Sequence, residues 1–279
     1  MKTISVAHSP DADDIFMYYA IKFGWVTPND AKFENIADDI ETLNKATLAG
    51  EYDICAISFA LYPFVKDDYA LLKTAVSFGE GYGPKLIKKK GTKLKRNFKV
   101  ALSGEFTTNG LLFKIAYPNA RITYMNFLDI EKAVLDGTVD AGVLIHESIL
   151  TFDDELEVER ELWDIWVELS GGGLPLPLGG MCIRRSIPLH SAIDYENTLI
   201  KAVDVANKNR KVLAPMLLEN TLDNYLDLYA NDNSVNLSEI QYKALDKLYE
   251  LGYKNGFYEN LVKSKDFLIP SEYKELRAK

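Results

Sequence analysis

Polar and apolar positions fall into two rhythms along the chain. Short apolar runs bounded by turn residues alternate with segments whose apolar positions recur three to five apart, so strands should alternate with helices. Thr3 to His8 reads as a first strand, followed by Ser9-Pro-Asp-Ala-Asp-Asp14 and a helix over Ile15–Phe23. Asp11 or Asp13 would suit that helix as N-cap. A helix from about Asp39 to Ala49 leads to the strand Ile54–Ile57, which ends on Ser58. Two further strands, Ala70–Phe78 and Lys85–Lys90, flank Gly79-Glu-Gly-Tyr-Gly-Pro84, a cluster that reads as a bend at a domain crossing. Phe98–Leu102 is a strand, and the loop after Ser103 opens a helix over Asn109–Tyr117 that Pro118 ends. Ala141 to Ile145 is uninterruptedly small or apolar, as a strand covered on both faces would be, and it stops on His146 and Glu147. Ser170–Gly180, with its glycines and two prolines, predicts a long irregular connection. From Tyr195 the pattern is helical, with Pro215 dividing one helix and Ser238 with Gln241 making a capping box for the next.

One unit occurs twice. Leu43-Asn-Lys45-Ala46-Thr-Leu48-Ala-Gly50-Glu-Tyr-Asp53 aligns without a gap on Ile130-Glu-Lys132-Ala133-Val-Leu135-Asp-Gly137-Thr-Val-Asp140. Each copy is a helix, a glycine at the C-cap place, a two-residue turn, an aspartate and an apolar strand. Strands ending at Ser9 and Ser103 stand upstream of the two copies. The arrangement predicts two similar α/β lobes whose strand ends face each other across a ligand cleft. The lobe boundaries expected from the sequence are 1–95 with 185–279 for the first and 96–184 for the second.

Composition narrows the function. The chain has 279 residues, ample for such a core, and is 47% hydrophobic and 26% charged. Its formal charge of −9 argues against nucleic acid as partner, since phosphate neutralisation needs a basic face. The basic run Lys88–Arg96 reads as a solvated turn. With two cysteines, Cys55 and Cys182, no disulfide framework or metal cluster is expected. No signal-peptide region and no long apolar span is legible, which predicts a cytoplasmic protein away from the membrane. A calcium loop counted from Asp11 would meet Phe16 and Lys22 where glycine and glutamate belong. Neither a nucleotide fingerprint nor a nucleophile-elbow serine is present, and Leu150 stands where a zinc-protease helix would carry its second histidine. No metal or cofactor is therefore expected.

His146 sits where open α/β sheets keep their ligands, beyond the carboxyl end of a strand, and imidazole suits proton transfer near neutral pH. A core histidine bonded to a backbone carbonyl is the competing explanation. Thr107 and Thr108 offer hydroxyls beside the free N–H groups of a helix N-terminus, a ready site for a carboxylate or phosphate. Simple capping explains one of the two equally well. One imidazole among hydroxyls and carboxylates suits proton abstraction and carbon-skeleton breakdown better than hydrolysis or redox chemistry.

Ser9-Pro10 with Asp14-Ile-Phe16, Asp53-Ile-Cys-Ala-Ile-Ser-Phe59, Ser103-Gly with Thr107-Thr108, Asp140-Ala-Gly-Val-Leu-Ile-His-Glu147 and Gly173-Leu-Pro-Leu-Pro-Leu-Gly179 occur in that order over about two thirds of the chain. In these motifs the chain resembles the 1,4-dihydroxy-6-naphthoate synthases of the futalosine route to menaquinone. The resemblance implies the two-lobed fold of type 2 periplasmic binding proteins. It also implies a lyase that converts cyclic dehypoxanthinyl futalosine, an anionic small molecule, to 1,4-dihydroxy-6-naphthoate and a three-carbon sugar fragment. His146 would be the proton acceptor, Ala56, Ile57, Ser58, Thr107 and Thr108 would contact substrate, and Asp14 would help hold sugar hydroxyls. The first loop departs from the family pattern Ser-Pro-Cys-Pro-Asn-Asp, and Asp13 adds negative charge beside an anionic substrate. Two alternatives share the fold: the chorismate dehydratase of the same pathway, and a non-catalytic protein that binds a small carboxylate. Oligomeric state is not legible.

Overall fold

The computed structural model describes residues 2–10, 12–213 and 235–272; Asp11 and Pro215 lie outside them. In chain order the first sheet and its helices run β1 (Lys2–His8), α1 (Ala12–Lys22), β2 (Ala31–Ala37), α2 (Ile40–Ala49), β3 (Ile54–Ser58), α3 (Tyr62–Val65), β4 (Tyr69–Leu71) and β5 (Ser77–Gly79). The chain then crosses into β6 (Lys85–Lys89), β7 (Lys99–Leu102), α4 (Thr108–Ala116), β8 (Arg121–Tyr124), α5 (Phe127–Leu135), β9 (Ala141–Leu144), β10 (Leu156–Glu161) and α6 (Leu162–Ser170). It returns in β11 (Leu176–Arg184), followed by α7 (Leu189–Lys208), a short helix Arg210–Leu213, the helix Glu239–Lys254 and a 3-10 turn Ser264–Phe267.

The internal repeat is physical. The first sheet has the order β2-β1-β3-β11-β4 and the second, read from its matching edge, β8-β7-β9-β6-β10. In each, three parallel strands are followed by an antiparallel one that has crossed from the other lobe. The aligned glycines, Gly50 with φ 68° and Gly137 with φ 79°, both take the left-handed conformation that lets the chain leave its helix and re-enter the sheet. The aligned aspartates do the same work. Asp53 accepts from Ser5 N at 3.1 Å and Asp140 from Lys99 N at 2.7 Å, each pinning the start of its strand to the neighbouring one.

Four expectations change. The crossings fall at 80–84 and 171–175, so β6 belongs to the second sheet and β11 to the first, ahead of the boundaries expected at 95/96 and 184/185. The glycine cluster before Pro84 is the crossing bend, as its composition implied. Ser170–Gly180 is irregular only in its first half, because Pro177 is accommodated in β11 at a register shift against β5. The strand expected over Ala70–Phe78 is broken in the middle, where Leu72 N turns to Met181 O at 2.9 Å and Lys73 N to the Glu196 carboxylate at 2.9 Å. Asp13 lies inside the first turn of α1 and is not its N-cap.

Asp39 caps α2 through Glu41 N and Thr42 N, and Ser238 with Gln241 forms the expected capping box. Cys55 and Cys182 are cross-strand neighbours in β3 and β11, both buried free thiols. Burial pushes Cys55 up to about 12 and Cys182 well above its ordinary value, so both behave as small apolar groups.

The clamp predicts a graded response in urea. Asp53→Ala, at the half-buried site where Ser5 N and Oγ would both lose an acceptor, should cost about 1–3 kcal/mol. Asp140→Ala should cost less than about 1 kcal/mol, because both its residue and Lys99 are exposed and water can replace the carboxylate. Equal midpoints for the Asp53 variant and the parent would show that the aspartate does not hold the strand.

Candidate active site

Parallel strands leave their sheet at one end, and here both lobes turn that end inward. Ser9 after β1, Ser58 at the end of β3, Ser103 after β7 and His146 just beyond β9 all line one cleft. The cleft opens to solvent, and the empty space in and above it comes to about 780 Å³. Ala56, Ile57 and Thr107, Thr108 line it as well, with Asp14 at one side and Leu178 to Gly180 of the returning strand at the other. All seven residues singled out from the sequence therefore meet in one place. Neither lysine nor arginine occurs among the described lining residues.

His146 carries the only imidazole in that lining. It opens a short 3-10 turn (His146–Ile149) with φ 56°, a left-handed conformation that few non-glycine residues adopt. The turn is closed by Ser148, whose hydroxyl donates to Ile145 O at 2.5 Å. The ring meets Phe127 edge-on, centroids 5.0 Å apart and planes at 70°, so α5 sets its orientation. A backbone strained in this way at a strand end is more informative than the histidine alone, since such strain persists where the surroundings over-determine it.

The threonine pair works differently from its first appearance. Thr107 is the N-cap of α4: its hydroxyl accepts from Gly110 N at 3.1 Å and donates to Gly104 O at 2.9 Å. The Thr108 hydroxyl donates to Leu178 O at 3.0 Å and accepts from Ala60 N at 3.3 Å, both in the first sheet's lobe. Both hydroxyls are spent on the protein. What the pair presents to the cleft is the first turn of α4, where the N–H groups of Thr108 and Asn109 have no intrahelical acceptor. In a cleft without cationic side chains, that helix end is the anion-attracting feature.

Ser58 is held from behind. Its N–H donates to Asn44 Oδ1 at 3.0 Å, and Asn44 Nδ2 donates to Ser58 Oγ at 3.4 Å, which leaves the Ser58 proton for an acceptor in the cleft. Asp14 accepts from Ser9 N at 3.0 Å, so part of its capacity shapes the first loop. Asn109 Nδ2 donates to Ser103 Oγ at 3.4 Å in the other lobe.

The sequence did not single out Asn44, Asn109 or Glu41. Glu41 is buried, and its carboxylate accepts from Glu105 N at 3.0 Å and Phe106 N at 3.4 Å. Burial pushes its pKa up, opposed by those two N–H groups, by Asn44 and by Lys45. The available signal was spacing: Glu41, Asn44 and Thr47 stand three apart and form a polar stripe on the buried face of α2.

Comparison with known proteins agrees with this geometry. The chain is 30% identical to a 1,4-dihydroxy-6-naphtoate synthase of Streptomyces coelicolor over 87% of its own length and 90% of the relative's. It is 30% identical to a protein of the same name from Thermus thermophilus over 84% of its length and 82% of that protein's. A crystal structure of an Archaeoglobus fulgidus protein superposes with a TM-score of 0.84 at 34% identity, covering 91% of this chain and 98% of the other. The alkanesulfonate-binding protein of Xanthomonas axonopodis superposes at 0.69 with 13% identity, covering 96% and 98%, a likeness of fold that establishes the periplasmic-binding-protein architecture. Residues 4–254 match the family model described as menaquinone biosynthesis, and the chain belongs to that family.

Proposed function

We infer that the protein is a lyase of menaquinone biosynthesis that releases 1,4-dihydroxy-6-naphthoate from cyclic dehypoxanthinyl futalosine, with His146 as the base. The observation that carries this reading is the meeting, in one cleft, of a conformationally fixed histidine and an anion-attracting helix end. Family membership and two relatives named as this synthase support it.

The substrate's aromatic carboxylate rests on the first turn of α4, where backbone N–H groups replace the water it gives up. Ser58, its hydroxyl oriented by Asn44, holds the cyclised sugar from the opposite lobe, and Asp14 stands beside it. The unprotonated imidazole of His146 takes a proton from the substrate, and bond cleavage leaves an aromatic dihydroxynaphthoate and the three-carbon fragment. Gain of aromaticity supplies the driving force. The protein supplies orientation, one base and a cleft that excludes water. No helix among the described residues is long and apolar enough to cross a membrane, and we place the reaction in the cytoplasm.

His146→Ala should lower kcat by about 10²–10⁴-fold, the usual contribution of a placed base, while ligand binding stays close to that of the parent. Product would be followed by mass spectrometry, and near-normal turnover in this variant would remove His146 from the chemistry. An inactive parent that turned over chorismate instead would replace the synthase reading with the dehydratase; binding without product would leave a receptor.

Thr107→Ala should reduce stability by about 1 kcal/mol through loss of the cap. It should also raise KM, because the α4 N-terminus loses its fixed geometry. Thr107→Ser keeps the oxygen and should restore both quantities, read from a thermal melt and initial rates.

A further inference from the structure

Among the buried polar groups that join the two lobes, one belongs to neither the base nor the expected substrate contacts. Glu41 projects from the first turn of α2 in the first sheet's lobe. Its carboxylate grips consecutive backbone N–H groups, those of Glu105 and Phe106, in the loop that joins β7 to α4 in the other lobe. The loop is shaped for this grip. A Cβ on Gly104 would come within 2.2 Å of the Glu41 carboxylate, so only glycine lets the backbone approach so closely. Three residues further along α2, Asn44 fixes Ser58. One helix thus ties together the two halves of the cleft, the α4 N-terminus on one side and the end of β3 on the other.

We propose that Glu41 is a positioning residue for the reaction: a latch between the lobes that holds the anion-binding end of α4 in register with the β3 end. The proposal rests on the reading of the cleft given above. A carboxylate is suited to the task, since it accepts two N–H groups at once and needs no protein proton. Its burial makes the latch all-or-none, because opening it leaves a desolvated carboxylate and two backbone donors to be rehydrated together. Without the latch the lobes spend less time apposed, and only the apposed arrangement binds substrate well. The apparent dissociation constant then rises as the inverse of the apposed fraction.

The consequence is a kinetic signature opposite to that of the base. If loss of the latch lowers the apposed fraction to one tenth, Glu41→Ala raises KM about tenfold and leaves kcat within about twofold, since saturating substrate draws the lobes together. Glu41→Gln retains one acceptor oxygen and should fall between the parent and the alanine variant. Gly104→Ala attacks the latch from the other lobe and should reproduce the KM effect. The double variant Glu41→Ala with Gly104→Ala should be no worse than the larger single effect, since both act on one contact.

Kinetics on cyclic dehypoxanthinyl futalosine would be run beside small-angle X-ray scattering of the substrate-free proteins. A larger radius of gyration for Glu41→Ala than for the parent, together with the KM-only effect, supports the latch. An unchanged radius of gyration, or a fall in kcat at constant KM, overturns it, the latter marking simple loss of folded enzyme. Should the parent fail to process this compound, the synthase reading falls on its own, and the scattering comparison of parent, Glu41→Ala and Gly104→Ala decides the latch by itself.

Discussion

Where a parallel strand ends, its neighbours' last backbone groups lose their ladder partners, and the chain must turn away while those groups find others. Most of this molecule answers that constraint. The first sheet meets it with Asn44 reaching into Ser58 N and Asp14 reaching into Ser9 N; the second meets it with the Thr107 hydroxyl reaching into Gly104 O and the Ser148 hydroxyl into Ile145 O. Polar side chains are thereby concentrated at the strand ends while the strands remain apolar. Because each lobe turns those ends toward the other, the concentrations add up to a cleft. The site is a by-product of satisfying backbone at four strand ends, and His146 is the one addition that satisfying backbone does not require.

Much of this could be read from residue order. Gly50 and Gly137 gave the place of each helix end, and Asp53 and Asp140 the start of each strand, because a left-handed turn and a backbone clamp each need a particular residue type. The strand ends followed from where apolar runs stop, and with them Ser58 and His146, whereas Ala56, Ile57 and Asp14 entered only with the family resemblance. What escaped was whatever depends on the partner across the gap. Lys85–Lys89 looks the same in sequence whichever sheet it joins, and Pro177 argues against a strand until a register shift accommodates it. The Thr107 and Thr108 hydroxyls are legible as hydroxyls, yet their commitment to Gly104, Leu178 and Ala60 depends on long-range packing. Glu41 stands in the first turn of α2, where an acid favours the helix dipole, and its hold on the other lobe left no mark beyond the spacing with Asn44.

The fold is shared with binding proteins such as the alkanesulfonate-binding protein. A receptor needs to gain free energy from ligand in its ground state and to let go when asked. An enzyme gains nothing in kcat from that and must use interactions that matter when bonds change. The cleft here fits the second requirement. Among the described residues it is lined by the first turn of α4 and by no lysine or arginine, so a carboxylate bound as proposed would be oriented without a full opposing charge. His146, the proposed base, is held in a left-handed backbone conformation with its ring against Phe127, costs that a receptor would have no reason to carry.

The same comparison explains why the polar ties between the lobes are backbone-directed. Glu41 accepts from main-chain N–H groups, and Thr108 exchanges hydrogen bonds with main-chain groups of Leu178 and Ala60. A tie to backbone fixes the path of the chain, whereas a tie between flexible side chains would fix only their tips. Since the proposed anion site consists of backbone N–H groups, fixing the path would be what fixes the site. Under the proposed function loop 103–107 would carry the geometry of the reaction without contributing a reacting group, through the hold of Glu41 in α2 on its backbone.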